Sequence, residues 1–214
     1  MQVKQVNQVT ANELLDPTHQ GWKQSEGIEV GLSPTPIGMQ PTQAIRANFE
    51  NKKYGLIEKA NVQALHDGDN VLVRITWKDA HKDDRVKDND SFVDQMALMF
   101  PLTENGTFIT MGSMKDPVEL WRWKADQETP QQIQAKGVGT TDNIKDDSLE
   151  SQAVWNNGEW QVVIKRKMVT PSENSANFNV GETQRCSVAV WAGHNQERAG
   201  IKSISMRWIP MEIV

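Results

Sequence analysis

The chain has 214 residues, 24% of them charged, and a formal net charge of -5. That acidic balance excludes a nucleic-acid partner, because phosphate binding needs a concentrated basic face. No stretch approaches the roughly 18 consecutive apolar residues of a membrane-spanning helix. Cys186 is the one cysteine, which excludes an internal disulfide, a cysteine-ligated iron–sulfur cluster and a CxxCH haem attachment.

The N-terminal MQVKQVNQVTANELLDP is polar. It lacks the apolar stretch and cleavage site of a signal peptide and any twin-arginine pair, so by itself it reads as cytoplasmic. Residues 10–15 predict a short helix with Thr10 as its cap. Residues 27–32, 44–49 and 60–64 predict strands. The turn His66-Asp67-Gly68-Asp69-Asn70 leads into residues 71–77, where Val71, Val73, Ile75 and Trp77 alternate with Leu72, Arg74 and Thr76. Asp-Gly is chemistry for a tight reversal, so 61–77 reads as a hairpin. The charged run at 78–90 reads as a solvated loop, since its carboxylates lack the spacing of a calcium loop.

A helical turn is expected near 92–99, overlapping an apolar run at 96–102. Residues 107–111 and 118–123 predict strands, and the polar stretch 125–151 a long surface excursion. A second hairpin is predicted with strands at 152–155 and 160–168 around Asn156-Asn157-Gly158, the strongest short hairpin signal. Strands at 185–191 and 203–209 flank a loop at 192–200. Many short strands with little helix imply an all-β protein. The expected architecture is an antiparallel β-sandwich with a few short helices and long loops, one domain over residues 1–214.

Familiar catalytic motifs are missing. His19, His66, His81 and His194 show no zinc-ligand spacing. No GxSxG elbow, GxGxxG or phosphate loop occurs. The informative segment is FITMGSMKDPVELWRWKAD at 108–126. Here Met111 ends a predicted strand on the parity of Ile109, and Gly112 opens space where a flat ligand meets backbone. Trp121 and Trp123 then share one strand face.

These residues resemble the haem-binding subunit family of ethylbenzene dehydrogenase, which also serves dimethylsulfide dehydrogenase, selenate reductase and chlorate reductase. Trp77-Lys78-Asp79, Phe100-Pro101 and Met111-Gly112 with Pro117-Val118 and Trp121-Arg122-Trp123 resemble successive family blocks. So do 158–166 and 188–205, the latter with Trp191, Glu197 and Lys202-Ser203. The likeness spans residues 60–210. It implies an electron-transfer subunit binding one haem b, with methionine and lysine on the iron. It further implies a heterotrimer with a molybdenum catalytic subunit and an iron–sulfur subunit, where substrate chemistry lies on another subunit.

Met111 carries the family's Met-Gly pair, with Met114 as the alternative. Lys165 and Lys167 share one face of the 160–168 strand, and Lys167, nearer its end, is favoured as the second ligand. Gly112, Trp121, Trp123 and Arg166 complete the expected cofactor contacts, with Arg122 and Lys124 as further partners for propionates. A soluble cytochrome is the expected electron acceptor. The family setting implies a periplasmic location, reached by export bound to a partner subunit. The competing reading is a cofactor-free carbohydrate- or partner-binding sandwich whose exposed tryptophans stack on a ligand.

Overall fold

The computed structural model describes residues 1–40, 42–89, 91–144 and 148–214. Its strands are β1 (Gln2–Gln5), β2 (Ile28–Pro34), β3 (Lys59–His66), β4 (Asn70–Lys78), β5 (Gln95–Pro101), β6 (Val118–Lys124) and β7 (Gln131–Ala135). They continue with β8 (Thr141–Ile144), β9 (Glu150–Asn156), β10 (Glu159–Lys167), β11 (Thr183–Trp191), β12 (Ser203–Ser205) and β13 (Ile209–Ile213). Among the described residues there are also two short α-helices, α1 (Ala11–Leu14) and α2 (Gln43–Phe49), and three short 3-10 turns.

One layer runs β2-β3-β4-β10-β9 and the other β8-β7-β6-β5-β11-β12, with β2 also pairing β12 where the layers meet. The pairs along this path are antiparallel, while β1 lies parallel to β3 and β13 at one side. Strand alternation sends every second side chain inward. Val71, Val73, Ile75 and Trp77 of β4 pack with Leu98, Phe100, Trp121, Trp123, Val188 and Val190 of the facing layer. The opposite face of the first layer buries Leu72 and Val163 against Leu14 and Trp22 of the N-terminal segment. The outer face of the second layer carries Met99, Val118, Leu120 and Ile133. That third cluster floors the candidate site.

Both expected hairpins form. In the first, Asp67 Oδ1 accepts from the backbone N–H groups of Asp69 and Asn70 at 2.9 and 2.7 Å. In the second, Asn157 and Gly158 both take positive φ, 51° and 74°, the geometry a two-residue reversal requires. Helix α1 starts at Thr10, whose Oγ1 accepts from Glu13 N while Glu13 Oε2 accepts from Thr10 N, a reciprocal cap.

Four expectations need correction. Residues 44–49 are helical, because Thr42 caps Ile45 N and the inward Ile45 and Phe49 are one turn apart. The segment near 92–99 enters strand β5, buried along its whole length. A strand covered on both faces loses the alternation that tells it from a helix. The polar stretch 125–151 contains β7 and β8, where Gln132 and Gln134 are buried and donate to Glu119 Oε1 and Asn174 Oδ1. Residues 107–111 form a turn, not a strand. The excursion's residues 145–147 and Asp90 of the charged run lie outside the described residues.

Candidate functional site

A cleft of about 630 Å³, counted to its open mouth, lies on the outer face of β5, β6 and β11. Ala97, Met99, Leu120 and Ala189 form its floor, and Pro36, Met39, Phe108, Ile109, Val138 and Ile204 its walls. The size and apolar lining suit a small-molecule or cofactor site, which usually adds a few placed polar groups. Two such groups here are Met111 and Lys202.

Met111 arrives from a tight turn. Its N–H donates to Phe108 O at 3.3 Å, Gly112 N–H to Thr107 O at 2.9 Å, and Gly137 N–H to Met111 O at 3.0 Å. Met111 itself holds φ 56°, a left-handed conformation that costs an L-residue energy and marks functional positions. Gly112 follows at φ 78°, and a Cβ there would meet Asp116 O at 2.8 Å and Ala135 O and Val118 N at 3.1 Å. All three neighbours are backbone, so none yields cheaply. Gly112→Ala is expected to lower stability by about 1–3 kcal/mol and to shift Met111, read by thermal unfolding.

Lys202 immediately precedes β12, its carbonyl accepting from Thr35 N at 3.0 Å. The side chain is buried, with Nζ 4.9 Å from the Trp191 ring centroid and 3.9 Å from Met111 Sδ. Among the described residues no carboxylate forms an ion pair with it. Burial, reinforced by the nearby Arg122 guanidinium, lowers its pKa from 10.5 to about 8. Between those values the unfolded chain holds a proton that the folded chain has released. Stability therefore rises with pH across that window, by up to roughly 3 kcal/mol. The rise should be missing in Lys202→Met, which urea midpoints at about pH 8 and about pH 10 would show.

The remaining sequence candidates lie elsewhere. Lys167 is exposed on β10 in the other layer. Lys165 Nζ is paired with Glu150 at 2.8 Å and donates to Asn12 Oδ1 at 2.8 Å. Neither lines the cleft. Trp121 and Trp123 point inward, into the core between the layers. Arg166 is fully buried there, its Nη1 2.7 Å from Glu119 Oε1. Met114 is 76% exposed. Of the expected set, Met111 lines the cleft and Gly112 supports it. Lys202 stood inside a quoted family block, but nothing local marks it as inward-facing.

Fold and cleft define a two-layered β-sandwich with an apolar cleft on the outside of one sheet. The family model described as ethylbenzene dehydrogenase matches residues 19–148 and 140–203, and the chain belongs to that family. It is 30% identical over 190 residues, 88% of its length, to a Haloferax mediterranei protein described as a respiratory nitrate reductase heme subunit. It is 35% identical over 71% of its length to the chlorate reductase subunit gamma of Ideonella dechloratans. Identity to the dimethylsulfide dehydrogenase subunit gamma of Rhodovulum sulfidophilum is 23% over 85% of the chain. The chain spans 65%, 63% and 68% of those relatives' lengths.

Among solved structures, a Bacteroides uniformis protein described as carbohydrate-binding superposes with TM-score 0.60 at 9% identity, covering all of this chain and 98% of that one. A family 9 carbohydrate-binding module from Caldicellulosiruptor kristjanssonii gives 0.51 at 10% identity, covering all of this chain and 95% of that one. These likenesses concern the sandwich fold alone.

Proposed function

We propose that this chain is an electron-transfer subunit whose cleft would hold one non-covalent haem b, with Met111 and Lys202 as the residues that would hold its iron. The observation that carries the reading is the buried amine of Lys202, 3.9 Å from the Met111 thioether. An amine and a thioether this close would both be within reach of one bound iron. Lys202 thus takes the part expected of Lys167 or Lys165. With Cys186 as the sole cysteine and buried in the core, the haem would be held without a thioether link.

The haem supplies one-electron chemistry. The chain's residues do the rest. Lys202 must lose its proton to bind a metal, and burial without an acidic partner prepares it for that. A thioether raises the potential, and two protein ligands leave no open position for oxygen or substrate. The apolar floor of Met99 and Leu120 excludes water.

The relatives' names, heme subunit and subunit gamma of reductases and a dehydrogenase, support a place in a multi-subunit oxidoreductase. In this reading the partners are a molybdenum catalytic subunit and an iron–sulfur subunit, as in ethylbenzene dehydrogenase. Electrons leave to a soluble cytochrome, and the complex works in the periplasm, reached bound to an exported partner. The sugar-binding alternative lacks its tool. Six of the eight tryptophans are buried, and Trp155 and Trp208 are half-buried with their indole N–H groups on Asp79 O and Gly106 O.

Redox titration of the haem-loaded chain tests the function. A reversible one-electron couple, with no carbon monoxide adduct on the reduced protein, is expected. Ready carbon monoxide binding would contradict a carrier with both axial positions filled.

A further inference from the structure

We propose that Asp79, Asp83, His81 and His194 form a binding site for a divalent metal ion of the zinc class, separate from the Met111–Lys202 cleft. Sequence spacing hides this set, because His81 follows β4 and His194 lies in the 3-10 turn Gly193–Asn195 after β11. The fold brings them together. The two imidazole rings lie 4.0 Å apart between centroids. Both Nδ1 atoms face Asp79 Oδ1, at 4.0 Å for His81 and 3.7 Å for His194, and His194 Nδ1 is 3.6 Å from Asp83 Oδ2. One donor atom from each of Asp79, His81 and His194 falls within 4.8 Å of the others.

These separations are too long for hydrogen bonds, which run at about 2.7–3.2 Å. They approach the spacing of donors that share one ion, about 3.3 Å for tetrahedral ligands at roughly 2.0–2.1 Å. A second observation points the same way. The Asp79 side chain is only 1% exposed, yet its Oδ2 has no hydrogen-bond partner, and neither does Asp83 Oδ2. A buried carboxylate oxygen left unpaired is costly, and a cation would satisfy it.

The frame holding these residues is rigid. Asp94 accepts from Asp83 N, Gly193 N and Trp160 Nε1, each at 2.9 Å. One buried carboxylate thereby ties both ligand-bearing loops to the core. Asp79 N–H is fixed on Gly158 O at 2.9 Å, and Asp79 Oδ1 accepts from His81 N at 3.0 Å. Two imidazoles with two carboxylates suit zinc and its transition-metal neighbours, whereas calcium takes oxygen ligands. An ion here would clamp the loop after β4 to the 192–200 loop, which leads into Lys202.

The test titrates zinc chloride into chelator-stripped full-length protein by calorimetry, with far-UV circular dichroism confirming the fold of each variant. One zinc per chain is expected. His81→Ala and His194→Ala, both at exposed positions, should each weaken binding at least tenfold, while Met111→Ala and Lys202→Ala leave it unchanged. Equal zinc affinity in wild type and the His81→Ala/His194→Ala double variant would overturn the proposal, as would calcium binding as tightly as zinc.

Discussion

Lys202→Ala is expected to weaken haem retention at least ten- to a hundredfold and to convert the remaining haem from six-coordinate low-spin to five-coordinate high-spin. Removing the amine takes away one of the two groups facing each other at 3.9 Å. Among the described residues no other lysine lines the cleft. The same substitution at Lys167 should leave the spectrum unchanged, because that side chain is exposed on a strand of the other layer. The fold should survive Lys202→Ala, since the substitution removes a buried amine with a depressed pKa, itself a destabilising feature. Haemin titration followed by absorbance, with the three proteins compared side by side, reads this out. A low-spin spectrum in Lys202→Ala that disappears in Lys167→Ala would reverse the assignment.

Arg166→Met is expected to cost about 3–5 kcal/mol of stability, the scale for breaking a buried ion pair from one side. Arg166 and Glu119 are both fully buried, with Nη1 2.7 Å from Oε1. Glu119 also accepts from Trp121 Nε1 at 2.7 Å, Gln132 Nε2 at 2.6 Å and Ala176 N at 2.6 Å. Arg166 donates in turn to Ala176 O and lies 4.9 Å from the Trp121 ring. This network joins β6, β7, β10 and the segment before β11 through the centre of the sandwich. Without the guanidinium, the carboxylate stays buried with neutral donors alone. For a chain of this size the loss corresponds to roughly 10 °C in Tm. The Arg166→Met/Glu119→Gln double variant should recover part of it, because no net charge is then left in the core. A drop below about 1 kcal/mol in urea unfolding would show that the pair is more solvated than its geometry indicates.

Much of the sandwich was legible because its signals are local. Asp67-Gly68 and Asn157-Gly158 dictate their reversals, and the alternation of Val71, Val73, Ile75 and Trp77 assigns one face of β4 to the core. The same logic placed Trp121 and Trp123 together but could not say which face of β6 meets the cleft; they face the core, and Leu120 faces the cleft. Strand parity likewise put Lys165 and Lys167 on one face without revealing that β10 belongs to the other layer. Lys202 was hidden by distance. Its amine meets Met111 across 91 positions, from just before a strand of only three residues that carries almost no pattern of its own. The left-handed backbone of Met111 was equally hidden, since methionine carries no local preference for it. His81 and His194 were dismissed on spacing, which describes local zinc motifs and says nothing about loops joined by the fold.

Met111 and Lys202 are proposed to hold one haem b. Optical spectra of the purified, haem-loaded chain test it most directly, taken oxidised and dithionite-reduced, with a pyridine haemochrome assay for haem type. One b-type haem per chain is expected, low-spin in both states, with the low-spin spectrum lost in both Met111→Ala and Lys202→Ala. A folded chain that gives no Soret band after haemin is supplied would contradict it.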